Sequence, residues 1–378
     1  MKIGCITEIK KHEYRVGVVP DNVMAYCSHG HEVYIQKGAG IGSSFKDEDY
    51  ERMGANILET ADEVWAACDM MIKVKEPLQE EYAKMREDQI LYTYLHLAAD
   101  RPLIDALLDK KVKAVAYETI RDSHGGLPLL KPMSEVAGRL SVQEGAKCLE
   151  RPMGGMGLLL GGVPGVPKAN VVIIGGGVVG TNACKTAIGS GADVTILDTN
   201  LERLTYLDDI FGARIQTLYS QDAAIEKAVY GADLVIGAVL IPGAAAPKLI
   251  KKKYLAGMKD GSVIVDVAVD QGGCCETTKV TYHDAPTFVV DGVVHYCVAN
   301  MPGAVARTST IALTNATLRY GLMIADNGLE AAVKMDPGLY AGVNCYQGKM
   351  TCKEVADGFG MTYTQLNSII SLPLGAGL

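Results

Sequence analysis

The chain is poor in aromatic residues. They make up 6% of its 378 positions, with one tryptophan and four phenylalanines, so its cores must be built from aliphatic side chains. It also lacks a basic excess. The formal net charge is −8, which argues against non-specific nucleic-acid binding through a cationic face. No block of like charge is long enough to form an interaction tail. No apolar run approaches the ~18 residues of a membrane span. The opening "MKIGCITEIKKHEYR" turns polar within a few residues, so no secretory leader is expected. The ten cysteines include no C-x-x-C pair and no framework spacing, and are expected to be reduced thiols of a cytoplasmic protein. No His/Cys/Asp/Glu cluster has metal-ligand spacing, and no metal is expected.

What the chain has in quantity is glycine, 42 residues spread through ordered-looking sequence, which reads as many tight turns. Its length suits two domains, each able to bury a core. From residue 1 to about 130, short apolar runs alternate with helical patterns. "KIGCIT", "EVYIQ", "DMMIKV", "QILYTYL" and "VKAVAYE" read as strands of a parallel sheet covered by helices. "PMSEVAGRLSVQEGAKCLE" reads as a long helix, with Pro132 before it and Ser134 as its N-cap. A glycine-rich loop follows, and a second α/β series begins at Asn170. Its expected strands are "NVVIIG", "DVTILD", "ADLVIGAV", "GSVIVDVAV" and "TFVV". From Ala304 to Asp326 the pattern is helical again, and the remainder reads mostly as helix. The expected fold class is α/β, with two doubly wound domains. A Rossmann domain over 131–304 is inserted into a discontinuous domain formed by 1–130 and 305–378.

"NVVIIGGGVVGTNACKTAIGSGADVTILD" carries the strongest local signal. Gly175, Gly177 and Gly180 form G-x-G-x-x-G directly after a strand and at the start of a helix. The first glycine permits the turn, the second lets the backbone approach a pyrophosphate, and the third lets helix and sheet pack closely. Free N–H groups at the helix start then face the phosphates. The next strand ends in Asp198, eighteen residues past Gly180. A carboxylate there suits ribose hydroxyls and repels a 2′-phosphate, which points to NAD rather than NADP. Arg203 either reaches the ribose side or is a solvated helix residue.

In an open α/β sheet, ligands sit at the carboxyl ends of strands. The first domain places Lys75, His96 and Glu118 after strands, and Arg15 in the loop after the first strand. Together they outline a pocket with two cations, an imidazole and a carboxylate. Singly, each has an ordinary alternative: a surface charge for Arg15 and Lys75, a core histidine for His96. Asp270 ends "SVIVDVAVD", where a nicotinamide would emerge, or else caps the "DQGG" turn. Nothing near Cys274 and Cys275 would activate a thiolate, so both read as structural.

Taken together, "GCITEIKKHEYRVGVVP", "KPMSEVAGRLSVQEGAKCL", "GGVPGVPKANVVIIGGGVVG", "LVIGAVLIPGAAAPKLI", "VDVAVDQGG" and "VANMPGAVARTSTIALTNAT" resemble the L-alanine dehydrogenase family over about residues 1–365. The resemblance implies a homohexamer that oxidises L-alanine to pyruvate and ammonium with NAD, and runs the reverse reaction. It implies substrate binding by Arg15 and Lys75 and a catalytic pair of His96 and Asp270. It implies NAD contacts at Ser134, Val178, Val179, Asp198, Arg203, Ser220, Val239, Leu240, Val267, Ala268, Val269, Asp270, Lys279, Val298, Ala299, Asn300 and Met301. Two positions depart from the family pattern: Ala306 stands where proline is usual, and Lys279 where arginine is common. The rivals are a hydride-transfer subunit of a transhydrogenase, a saccharopine-type dehydrogenase and a non-catalytic NAD-binding sensor.

Overall fold

A computed structural model describes residues 1–239 and 245–370. Leu240 and the closing "SLPLGAGL" lie outside the described residues. The chain divides into two compact units, Met1–Met133 together with the chain from Val305 onward, and Ser134–Ala304.

The first unit opens with six parallel strands: β1 (Lys2–Cys5), β2 (Glu32–Gln36), β3 (Asn56–Leu58), β4 (Met70–Ile72), β5 (Ile90–Thr93) and β6 (Lys113–Ala116). Every residue of β4 and β5 is buried, as expected for strands covered on both faces. The spatial order is β3-β2-β1-β4-β5-β6, so the winding reverses between β1 and β4.

The second unit repeats this logic. Its strands are β7 (Asn170–Ile174), β8 (Asp193–Asp198), β9 (Ile215–Tyr219), β10 (Leu234–Gly237), β11 (Val263–Asp266), β12 (Thr287–Val290) and β13 (Val293–Tyr296). They lie in the order β9-β8-β7-β10-β11-β13-β12, with only β12 antiparallel to its neighbour. The reversal falls between β7 and β10. The chain then returns to the first unit through the helix Ala306–Asn327 and a hairpin, β14 (Val343–Tyr346) and β15 (Lys349–Met350). β14 adds antiparallel to β6.

Three local expectations are corrected. The long helix begins at Lys131, which places Pro132 inside its first turn and Ser134 within the helix rather than at its N-cap. Proline is pre-organised for that position, since the amide it lacks has no partner there. The C-terminal part is not helix alone: besides the expected helices Leu329–Met335, Pro337–Gly342 and Lys353–Phe359, β14 and β15 extend the first sheet. β14 is four residues with a polar Asn344 in it, so no apolar run marks it. That side chain is buried against Thr119 at 3.1 Å. Finally, the strand "GSVIVDVAV" stops at Asp266, four residues before Asp270.

Candidate active site

All six parallel strands of the first unit end on one edge of the sheet, and the sequence-selected residues gather along it. Arg15 follows β1, Lys75 follows β4, His96 follows β5 and Glu118 follows β6. Arg15 and Lys75 therefore come from the two strands that flank the winding reversal. Neither is an ordinary surface charge. The Arg15 guanidinium is 3% exposed. Glu13 grips it from one side, with Nε donating to Oε1 at 2.7 Å and Nη2 to Oε2 at 2.5 Å. Its Nη1 lies 3.0 Å from the sulfur of Met133. Burial opposes a charge on Glu13, but the hydrogen bonds and charge of Arg15 prevail and hold its carboxyl below the usual range. Burial, with the Arg15 charge beside it, holds the Lys75 ammonium below the usual lysine range.

The backbone that carries Lys75 is held on both sides. Glu8 accepts the amides of Val74 at 2.6 Å and Lys75 at 3.3 Å. Thr93 donates to the Lys75 carbonyl at 3.0 Å. Glu8 in turn meets Lys73, which has no solvent exposure and lies 3.0 Å from both Glu8 and Glu81. A buried lysine between two carboxylates fixes the strand end from which Lys75 projects.

His96 sits in the left-handed region, at φ 51°, which is uncommon for a residue with a side chain. Glu118 accepts its amide at 2.6 Å and the Leu95 amide at 3.0 Å. The Glu118 carboxylate thus holds this turn. The His96 ring is about half exposed, and its Nδ1 lies 2.9 Å from Oε2 of Glu76. Glu76 is buried and also pairs with Lys10. Burial works against its charge, yet His96 and Lys10 outweigh that and bring the carboxyl down to about 2.

In the second unit, the glycine turn follows β7. Gly175 has φ 105°, and a Cβ there would lie 2.7 Å from the Ala238 carbonyl oxygen. A Cβ on Gly180 would collide with the Gly175 carbonyl. Around Gly177 a Cβ would meet nothing within 4 Å, so the loop faces open space where its backbone is needed. Gly177 is also the N-cap of the helix Val178–Gly189 and supplies no side-chain cap. The first N–H groups of that helix keep their capacity for an anion. Asp198 ends β8 beside the turn. Its Oδ2 accepts the Gly176 amide at 2.6 Å and its Oδ1 the Asn200 amide at 2.8 Å. Two backbone donors orient the carboxylate and leave lone pairs on both oxygens for hydroxyl groups. Arg203 lies over this turn, with Nε donating to the Gly176 carbonyl at 2.5 Å and Nη2 to Thr181 at 2.5 Å. It is half-buried over the turn rather than a freely solvated helix residue.

The remaining expected contacts of this unit also follow strand ends. Ser220 follows β9 and donates its amide to the Asp198 carbonyl at 2.9 Å. Val239 follows β10. Val267, Ala268, Val269 and Asp270 follow β11, and Val298 to Met301 follow β13. Lys279 lies over the Phe288 ring at 5.3 Å. The helix of Ser134 packs beside the glycine turn, since Gly138 leaves no room for a Cβ against the Val179 carbonyl.

Asp270 lies on a short 3-10 turn, Val269–Gln271, and is exposed. The buried carboxylate that ends the strand is Asp266, at 0% exposure. It accepts the amides of Ala268 at 3.1 Å and Cys275 at 3.2 Å, together with the Thr278 hydroxyl. Asp266 thus folds the loop that presents Asp270. Both cysteines of the doubled pair are buried, and burial pushes their thiols up, that of Cys274 furthest because Asp266 adds to it.

Sequence reasoning gave no role to Glu8, Glu13, Glu76 or Asp266. For Glu13 and Glu76 the available signal was an acid within one or two residues of a selected cation, as in "HEYR" and "KEP".

Residues 4–137 match the family described as "Alanine dehydrogenase/PNT, N-terminal domain", and residues 141–353 its C-terminal domain. The second match runs past Ala304 into the helix and hairpin that rejoin the first unit. An alanine dehydrogenase of Methanococcus maripaludis is 56% identical over 96% of this chain and 98% of its own. One from Staphylococcus haemolyticus is 56% identical over 98% of this chain and 99% of its own. A solved structure titled L-alanine dehydrogenase, 52% identical, covers 95% of this chain and 99% of its own with a TM-score of 0.93. A transhydrogenase structure from Sinorhizobium meliloti shares the fold, with a TM-score of 0.80 at 24% identity over 93% of this chain and 99% of its own. The chain belongs to the alanine dehydrogenase/PNT family.

Proposed function

We propose that the protein catalyses the NAD-dependent oxidative deamination of L-alanine to pyruvate and ammonia, and the reverse reductive amination. The observation that carries this reading is 56% identity to an alanine dehydrogenase over nearly the whole of both chains. The residues fit the cofactor: an uncapped helix start, open space before Gly177 and an oriented Asp198 suit a dinucleotide. The reading assigns NAD to residues 131–304 and substrate chemistry to 1–130 with 305–378.

When bound, NAD supplies the hydride acceptor. The chain's own residues do the rest. Arg15, its plane fixed by Glu13, pairs with the substrate carboxylate through charge-assisted hydrogen bonds of ~1.5–3 kcal/mol each. Lys75 adds a second cation and polarises the carbonyl or imine. His96 is the general acid/base. It removes a proton as water adds to the iminium carbon, and returns one as ammonia leaves. Asp270 orders the attacking water or the ammonia and stabilises the cationic species. The same reading makes the protein a cytoplasmic homohexamer, on family resemblance. Of the alternatives, a transhydrogenase subunit is supported by fold likeness alone.

The test is a substrate panel with the purified protein. L-alanine with NAD should form NADH, and NADP should serve poorly. Absence of NADH formation from L-alanine under all conditions would end the proposal.

A further inference from the structure

Glu76 stands outside the four residues assigned above, yet its carboxylate lies within hydrogen-bond distance of the acid/base ring. We propose that Glu76 is a positioning residue that holds His96 in the tautomer protonated at Nδ1, leaving Nε2 to exchange protons with the reacting centre. The inference rests on the reading of His96 as the general acid/base.

The geometry has three parts. Oε2 of Glu76 lies 2.9 Å from Nδ1 of His96, within hydrogen-bond distance. An ionised carboxylate has no proton to give, so Nδ1 must be the donor and the neutral ring carries its proton there. The other Glu76 oxygen is engaged by Lys10, which favours the ionised form. The carboxyl is held down at about 2, so it is ionised throughout the range in which an enzyme of this kind works. The third part is the backbone. His96 is in the left-handed region, and Glu118 accepts the amides of Leu95 and His96. Ring and backbone are therefore clamped by two different carboxylates. An imidazole fixed at one nitrogen and at its Cα presents the other nitrogen in a single direction, which proton transfer at a defined atom requires.

The groups that face this pair are known from each neighbouring element. Lys10 comes from the loop after β1, and Lys75 is adjacent in the chain. Tyr82 comes from the short helix Gln79–Tyr82, and its hydroxyl is pushed up by burial and by acids that include Glu76. The Tyr94 ring lies 5.8 Å from the His96 ring, and Glu118 lies below the turn. Among them only Lys10 pairs with Glu76 directly, so the two partners have opposite leverage. Removing the Glu76 charge removes an anion from the imidazolium. Removing the Lys10 charge leaves that anion less neutralised.

Two variants of the full-length protein exploit this opposition. Glu76→Gln is nearly isosteric and should lower kcat for alanine by about 10–100-fold, with little change in the KM for NAD. It should move the acid limb of kcat/KM against pH to lower pH. Lys10→Met should move the same limb to higher pH. Carbethoxylation of His96 by diethyl pyrocarbonate, followed by peptide mass spectrometry as a function of pH, reads the ring without requiring turnover. Its half-modification pH should shift in the same two directions. Opposite shifts support the clamp, because a general loosening of the site would move both variants alike. Unshifted carbethoxylation in both variants, or shifts of the same sign, would overturn it. Absence of alanine turnover in the wild-type protein, with the carbethoxylation shifts intact, would instead remove the proposed function and leave the Glu76–His96 pair standing.

Discussion

At the residue scale, acids decide what the selected bases and cations can do. Arg15 lies in the grip of Glu13, Lys75 on a backbone held by Glu8, and His96 between Glu76 and Glu118. His96→Ala and Asp270→Asn should each lower kcat for alanine by about 10²–10⁴-fold, while NADH binding, read by fluorescence titration, stays within a few-fold. Full activity in either variant would remove that residue from the chemistry. Asp198→Ala should erode the preference for NAD, measured as the ratio of kcat/KM for the two cofactors, and an unchanged ratio would refute the ribose assignment. Glu76 also makes a stability prediction. Its folded-state carboxyl titrates near 2 against an ordinary 4.5, so its stabilisation is present above 4.5 and is lost as pH falls toward 2. The difference amounts to something on the order of 3 kcal/mol. Wild-type protein should therefore lose urea stability more steeply below pH 4.5 than Glu76→Gln, and parallel curves would count against the ion pair.

At the scale of elements, strand ends set the site. The glycine turn was legible because its three positions answer three separate steric demands, each visible in the spacing alone. Gly180→Ala tests the closest of them. A methyl group there meets backbone rather than a flexible side chain, so the turn must open, and NADH affinity should fall at least tenfold with the variant still folded. The loop after β11 was less legible. The apolar run continues through Val267 and Val269, so nothing in the pattern marks Asp266 as the strand's end. What ends it is a buried carboxylate that draws the following amides onto itself. Asp266→Ala leaves those donors unsatisfied, at about 1–3 kcal/mol each. It should lower both the melting temperature and kcat, through the loop that carries Asp270. Loss of neither would show that the loop is held by other contacts.

At the scale of the whole molecule, two parallel sheets with the same kind of winding reversal were readable from alternating apolar and helical segments. Buried apolar strands such as β7 and β10 announce themselves. β15, at two residues, does not, because a segment so short carries no periodicity, and β3, as short as β4, lacks the buried apolar run that marks β4. The supporting acids escaped notice for a related reason. For Glu8 and Glu76 the partners lie far along the chain, as with Glu8 and Lys73, which are 65 positions apart, and Glu76 and His96, 20 apart. Sequence reading could pick out the ends of strands, but not which acid meets which cation there. The two compact units should also differ in their response to ligand. In calorimetry, NADH should raise the transition of the unit that contains Ser134–Ala304 most, and an equal rise across all transitions would speak against a cofactor site confined to that unit.

The central claim is that hydride leaves the α-carbon of alanine for NAD on this protein. L-alanine deuterated at Cα, incubated with NAD and the purified chain, tests it in one step. The deuterium should appear in the NADH, read by mass spectrometry, with pyruvate formed in equal amount. Pyruvate without labelled NADH, or deuterium released to water, would contradict it.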